Sequence, residues 1–353
     1  MSEEPKDRRD VLPPTLVSFV VPPRFDDATF ASYRPDPAYL SQARARDRLI
    51  EAVGELGNGD GRRGLLGRLR RSERAPSWQA LYLDGRFGVG KTHLLAAANH
   101  AAFGPKAYLS FAALTYAVGA LGMPATVDLL GRARLICLDE FELDDPGNTM
   151  LATSFVRVVL ERGSRLIVTS NTLPGELGKG RFSADEFERE IGSLAAAFES
   201  IRIDGDDYRH RRFGHDDALP RIVPSDVLDD YAVPVRWPTL QRLMVTVPPL
   251  HFSDIIRGYD VLAIDGLTPI DDQDTALRFV HFIDKVYDQG IPLLVASECL
   301  PEELFPPSYG YGGFERKFRR CQSRLHEMLA QPLDRPHGVE LIEDEEDDRA
   351  RTG

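Results

Sequence analysis

Lys91 and Thr92 stand side by side at the end of a glycine-rich turn, Gly85-Arg86-Phe87-Gly88-Val89-Gly90. An ammonium and a hydroxyl behind three glycines suit a cluster of anionic oxygens with a hard cation beside it. The glycines let the backbone take conformations that a Cβ forbids and let it approach a ligand closely. An apolar run, Leu81 to Leu83, precedes the turn and reads as a buried strand. A Leu- and Ala-rich helix follows from His93. Strand, G-x-x-x-x-G-K-T turn and helix in this order form a phosphate-binding loop in its proper setting. Its N–H groups and the helix N-terminus point at anionic oxygens. Lys91 then reaches β and γ phosphates, and Thr92 is placed to ligate Mg²⁺. Gly85 through His93 is the expected nucleotide-binding stretch.

Two further strand ends carry polar groups. Leu135-Ile-Cys-Leu138 is apolar and runs into Asp139-Glu140-Phe141. Acids at the carboxyl end of a buried parallel strand sit where open α/β sheets bind ligands. Asp139 is expected to hold Mg²⁺, directly or through water. Glu140 is expected to polarise the attacking water as general base. Arg165-Leu-Ile-Val-Thr169-Ser170-Asn171 is a third such strand. Asn171 at its end would hydrogen-bond a γ-phosphate or orient the water.

The elements that must position these groups alternate. Helices are expected over Tyr39 to Leu56, Ala112 to Gly119 and Thr149 to Glu161. Further strands are expected at Ala107 to Phe111 and from Ile201. Strand–helix alternation implies parallel α/β layers. Ser183 and Glu186 have the spacing of a capping box. The Pro- and Asp-rich stretch 219–237 reads as a linker or domain boundary. Four regions result: an N-terminal extension (1–36), a nucleotide-binding core (37–218), a C-terminal α/β unit (219–330) and an acidic tail (331–353).

The C-terminal unit echoes the core. Leu166 to Leu177 aligns with Leu293 to Leu304, with seven of twelve positions identical, and Val261-Leu-Ala-Ile264-Asp265-Gly266 parallels the segment ending at Glu140. Gly266 replaces Glu140, Glu298 replaces Asn171, and no glycine-Lys-Thr loop precedes this copy. A second acid facing a triphosphate would repel it. The expectation is a degenerate repeat, unable to bind nucleotide, that serves packing, subunit contact or partner docking. Pro306 to Gly313 reads as a flexible loop. Phe314 to Leu329 reads as a basic helix, and Glu343 to Asp348 as a disordered acidic stretch.

Composition narrows the setting. The 353 residues suffice for two domains. A formal net charge of −12 opposes non-specific nucleic-acid binding. A local basic cluster does occur, with six arginines from Arg62 to Arg74 and one acid, Glu73. Cys137, Cys299 and Cys321 are widely separated and fit no zinc spacing, which suits a reducing compartment. The N-terminus lacks a signal-type apolar core, and no run of eighteen apolar residues occurs. A cytoplasmic protein is expected.

These motifs resemble the ZapE/AFG-one-like ATPases, a branch of the AAA+ superfamily. The general ones are Gly85 to Thr92, Leu138-Asp-Glu-Phe141 and Val168-Thr-Ser-Asn171 with Leu173-Pro174. The distinguishing ones are Asp207-Tyr-Arg209, Arg278-Phe279 with Phe282-Ile-Asp284 and Val286-Tyr-Asp288, and Ser323-Arg-Leu325 with Glu327-Met328. Thr172 departs from the arginine that the family commonly has there. The resemblance implies a P-loop NTPase (AAA+) parallel sheet with flanking helices, ATP and Mg²⁺ as cofactors, and ring-like or transient homo-oligomers with nucleotide at subunit interfaces. It implies regulation of a protein partner, FtsZ or the division machinery for bacterial members, with peripheral membrane contact for mitochondrial relatives. It makes Arg181 the candidate arginine finger and Arg324 a second γ-phosphate sensor, with Arg320 as the competing choice. Two other readings are a helicase-loader-like ATPase acting on nucleic acid and a nucleotide-gated binding protein.

Overall fold

The computed structural model describes residues 20–57, 78–130, 133–143, 146–177, 188–206, 222–228, 232–297, 299–310 and 314–331. The arginine cluster Arg62 to Arg74, Arg181, the Ser183–Glu186 box, Asp207-Tyr-Arg209, Glu298 and the acidic tail lie outside the described residues.

The first unit begins with helix α1 (Leu40–Gly57). Strand β1 (Ala80–Gly85) leads through the glycine turn into α2 (Lys91–Ala101). Next come β2 (Lys106–Ser110), α3 (Phe111–Leu121), α4 (Met123–Leu130) and β3 (Leu135–Asp139). The unit continues through α5 (Pro146–Glu161), β4 (Arg165–Ser170), α6 (Glu188–Ala196) and β5 (Glu199–Ile203). The five strands pair in parallel in the order β2-β3-β4-β1-β5.

Period-two alternation sends each strand's side chains to opposite faces. Leu81, Leu83, Cys137 and Ile167 pack with α1 and α2 on one face, and Tyr82, Ile136, Leu138 and Val168 pack with α3 to α6 on the other. Both faces are covered, so the strands read as continuous apolar runs rather than alternating ones. The helix expected at 112–119 is α3; Gly122 (φ 80°) ends it, and α4, which the sequence reading does not include, follows. Ser110 caps α3 by accepting from the Ala113 N–H at 3.1 Å.

The second unit has its own three-stranded parallel sheet, β6 (Val235–Arg236), β7 (Leu262–Leu267) and β8 (Leu293–Ser297), in that order. Its helices are α7 (Ser225–Leu228), α8 (Trp237–Thr246), α9 (Phe252–Ile256), α10 (Gln273–Gln289) and α11 (Glu315–Ala330). The stretch read as a linker helps to build this unit. Ile222 bridges Val295, and Leu228 is fully buried against Ala263 and Leu294. The loop expected near Pro306 contains a packed turn: Tyr309 stacks on Phe318 at 4.9 Å and donates to the Asp271 carbonyl. Asp272 caps α10 through the Thr275 N–H at 2.8 Å, and Gly290 (φ 69°) ends it in a left-handed cap. One face of α11 buries Phe318, Cys321, Leu325 and Met328.

Trp237 meets Phe279 edge-on at 5.4 Å, and Phe279 is fully buried. Phe279→Ala should cost about 3–5 kcal/mol through the lost transfer and cavity contributions. Chemical denaturation measures the loss, and Trp237 emission should shift to the red if the second core opens.

Candidate functional site

Gly88 (φ 69°) and Gly90 (φ 86°) both take left-handed conformations. A Cβ on Gly90 would stand 2.6 Å from the Tyr33 ring, so that position admits no side chain. A Cβ on Gly85 would meet the Ile203 carbonyl oxygen at 2.3 Å. Tyr33 closes over the loop and donates its hydroxyl to the Val89 carbonyl at 3.0 Å. Lys91 is buried, and its Nζ donates to the carbonyls of Gly85 and Arg86 (both 2.8 Å) and to Asn171 Oδ1 (2.9 Å). Phe87 lines the cleft beside the loop. His93 turns toward the N-terminal segment, 3.1 Å from Ser32 Oγ and 3.0 Å from the Thr29 carbonyl, and burial lowers its pKa.

Asp139 ends β3, the strand beside β4, and is surrounded by hydroxyls. Tyr108 donates to Oδ2 at 2.9 Å, Thr169 makes a close bond to Oδ1, and Thr92 Oγ1 lies 3.4 Å from the same oxygen. Burial pushes the Asp139 carboxyl up, the neighbouring Glu140 charge adds to that, and the three hydroxyls pull the other way. Asn171 bridges the sheet edge, taking Lys91 on Oδ1 and giving Nδ2 to Glu142 Oε1 at 2.8 Å. Tyr82 fixes the exit from β4 by donating to the Thr172 carbonyl at 2.7 Å.

Glu140 has φ 54°, the one positive value at a non-glycine among the described residues. For an L-residue this conformation costs roughly 1–2 kcal/mol, and such strain persists where the surroundings over-determine it. Its N–H donates to Asp139 Oδ1 and to Thr169 Oγ1, both at 3.1 Å. Its Oε1 accepts from Arg324 Nη2 at 3.0 Å and lies 3.4 Å from Arg320 Nη1. Burial opposes ionisation, but Arg320 and Arg324 outweigh it and hold the Glu140 carboxyl below its ordinary value. Gly266, its counterpart in the repeat, has φ 72°. Gly266 lies inside β7, at a bulge between Asp265 and Leu267, whereas Glu140 follows the end of β3 and places a carboxylate there.

The cleft between the units encloses about 930 Å³. One wall is the loop with Asp139, Glu140 and Asn171; the facing wall is Tyr287, Arg320, Arg324 and Glu327. Residues 20–36 form a third wall. Arg24 pairs closely with Glu327 and lies 3.9 Å over the Tyr287 ring. Glu327 also accepts from the Tyr287 hydroxyl at 2.7 Å.

The expected site residues Gly85, Arg86, Phe87, Gly88, Val89, Gly90, Lys91, Thr92, His93, Asp139, Glu140, Asn171 and Arg324 therefore meet at one cleft or its supporting loop, while Arg181 lies outside the described residues. Tyr33, Tyr108, Glu142, Thr169 and Asp284 were not singled out for a role. Thr169, within the Val168-Thr-Ser-Asn171 motif, Glu142, two residues beyond Glu140, and Asp284, in a family-specific segment, are the ones with a sequence signal.

The residues fit a magnesium nucleotide. Left-handed glycines leave room for phosphate, Lys91 sits among three oxygens, and Thr92 stands beside Asp139 as a hard-cation oxygen pair. No group of three or more His, Cys, Asp or Glu able to hold a metal occurs among the described residues. Mg²⁺ takes one or two carboxylates and completes its shell with phosphate and water, so a single carboxylate with a hydroxyl beside the phosphate loop meets its needs.

Burial pushes the Asp288 carboxyl up to about 6, with Arg324 and Lys285 opposing and Glu140 and Asp284 reinforcing. An unfolded aspartate titrates near ~3.9. Between those values the native state binds more protons, so this group adds stability as pH falls through the window. Asp288→Asn should therefore stabilise the chain at pH 7, with the advantage shrinking toward pH 4.5, as read from denaturant midpoints of both proteins.

The AFG1-like ATPase family model matches residues 21–226 and 238–335. Among curated proteins, the Escherichia coli (strain K12) cell division protein ZapE is 24% identical over 239 residues, covering 58% of this chain and 62% of that protein. An uncharacterised Schizosaccharomyces pombe protein is 22% identical over 257 residues, covering 56% and 57%. The chain thus spans about three fifths of the length of these relatives. Among solved structures, the DnaC helicase loader is 17% identical, with 51% and 98% of the two chains covered and a TM-score of 0.37. AMPPCP-bound DnaA from Aquifex aeolicus is 15% identical, with 56% and 58% covered and a TM-score of 0.37. The family match takes in the phosphate loop, the Asp139-Glu140 strand and the two arginines of α11, and on that match this chain belongs to the AFG1-like ATPase family.

Proposed function

We propose that this chain hydrolyses ATP with Mg²⁺ and uses the cycle to regulate or remodel a protein partner. The observation that carries this reading is the meeting of Lys91, Thr92, Asp139, Glu140 and Asn171 at the carboxyl edge of β1, β3 and β4. Lys91 binds β and γ phosphate oxygens, and its release from the Gly85 and Arg86 carbonyls frees the loop for them. Asn171 follows the terminal phosphate and ties it to Glu142. Glu140 accepts a proton from the attacking water, which requires the ionised carboxylate that Arg320 and Arg324 favour. Thr92 and Asp139 would hold magnesium, which would supply charge neutralisation on the phosphate oxygens and on the buried Asp139 carboxylate.

Arg181 acts as an arginine finger from a neighbouring copy in an oligomeric assembly. Similarity to a cell division protein supports a partner in the division machinery. No described helix is long and apolar enough to cross a membrane.

Lys91→Ala should abolish binding of a fluorescent ATP analogue and reduce phosphate release to background. Persistence of both would overturn the reading. Glu140→Gln should keep binding and lower turnover by about 10²–10⁴. The same Glu140→Gln protein with ATP and Mg²⁺ should scatter as an assembly larger than a monomer. A monomer at high micromolar concentration removes the oligomer from the proposal.

A further inference from the structure

Asp284, on the second unit, holds both arginines that face Glu140. Arg320 and Arg324 lie one turn apart on α11, so they share a helix face. Arg320 Nη2 donates to Asp284 Oδ2 at 2.6 Å, and Arg324 Nη1 donates to Asp284 Oδ1. Each carboxylate oxygen therefore takes one guanidinium. The remaining Nη groups of the same pair converge on Glu140 Oε1 at 3.0 and 3.4 Å. Two carboxylates, one from each unit, are thus bridged by one pair of guanidinium groups.

The two carboxylates are not equivalent. Asp284 is buried at 6% exposure, as are Arg320 and Arg324 at 6% and 7%. Glu140, with 31% of its side chain exposed, lines the cleft beside the phosphate loop. Among the described residues, the Nε atoms of both arginines are buried without a hydrogen-bond partner, so hydrogen bonding there orients the two guanidiniums through their Nη ends. Those ends meet Asp284 behind and Glu140 in front. The Tyr287 ring lies 4.8 Å from the Arg324 guanidinium and gives it a stacking face. If Glu140 turns to a water, Asp284 is the remaining carboxylate that fixes the pair.

Resting on the ATPase reading above, we propose that Asp284 is a positioning residue: it anchors Arg320 and Arg324 so that they pass from Glu140 to the terminal phosphate without leaving the cleft. Glu140 is then restrained by the arginines until a phosphate draws them off. No new carboxylate contact is needed for the exchange, because the rear of each guanidinium stays paired. A diphosphate lacks the group that receives them, so Asp284 matters for ATP far more than for ADP.

The test uses the full chain as wild type, Asp284→Asn, Arg324→Ala and the double variant. Fluorescent ATP and ADP analogues, phosphate release and thermal melting are measured on each. Asp284→Asn should bind the ADP analogue within about threefold of wild type, lose at least tenfold in preference for ATP over ADP, and lose at least tenfold in kcat. The double variant should lose less than the two single losses combined, because part of the aspartate's effect runs through Arg324 and only Arg320 is left for it to hold once Arg324 is gone. Equal loss of ATP and ADP affinity in step with a lowered melting point would make Asp284 a scaffold residue and overturn the proposal. So would a kcat within twofold of wild type. Should Asp284→Asn fail to fold, Asp284→Glu decides: it keeps the charge but shifts it by a methylene. A fivefold or greater fall in kcat with ADP affinity held supports the proposal, and wild-type kcat overturns it. If wild type itself binds neither analogue, the ATPase reading fails, which is a different result from any of these.

Discussion

The insertion of β4 between β1 and β3 is the constraint on which the site depends. Parallel pairing brings Leu83 level with Thr169 and Leu138 level with Val168. Three strand ends distant in the chain therefore finish along one edge. The glycine turn leaves β1 beside Asn171, and Thr169, on β4, stands between β1 and Asp139. Hydrogen bonding then locks what register began: Thr169 serves Asp139 with its hydroxyl, and its carbonyl receives the Phe141 N–H at 2.7 Å. A slip of one residue would turn these polar ends into the apolar layers.

The site concentrates buried charge, and each charge has a specific compensation. Asp139 is met by three hydroxyls; Asp284 is met by two guanidiniums, which hold its carboxyl down at about 2. Burying ion pairs yields little stability on its own account. Their arrangement at a cleft, with one carboxylate facing inward and another facing the phosphate loop, is better understood as preorganisation for phosphate charge. The strained backbone of Glu140 belongs to the same arrangement, since its N–H bonds to Asp139 and Thr169 keep the residue in place.

Much of the site was legible because its parts are local. The glycine spacing before Lys91-Thr92, the acids after Leu135 to Leu138 and the polar end of β4 each announce themselves within a few residues. The doubly covered sheet was legible from continuous apolar strands. Contributions assembled by tertiary contact were not. Tyr108 looks like an ordinary strand aromatic until β2 pairs with β3 and sets its hydroxyl on Asp139. Asp284 sits in an amphipathic helix whose period explains burial but not what its carboxylate faces. Helix α4, eight residues between Gly122 and the strand β3, was not read from the sequence because it is too short to show a helical period.

The segment before α1 has a practical bearing on where this molecule can be cut. Val21, Ala28 and Tyr33 are buried in the first core, while Arg24 reaches Glu327 and Tyr287 in the second unit. A truncation starting at residue 37 would bare the apolar side of α1 and α2, uncover Gly90 and remove a cross-brace between the two sheets. Fragments intended to retain the intact cleft need their first residue upstream of Val21.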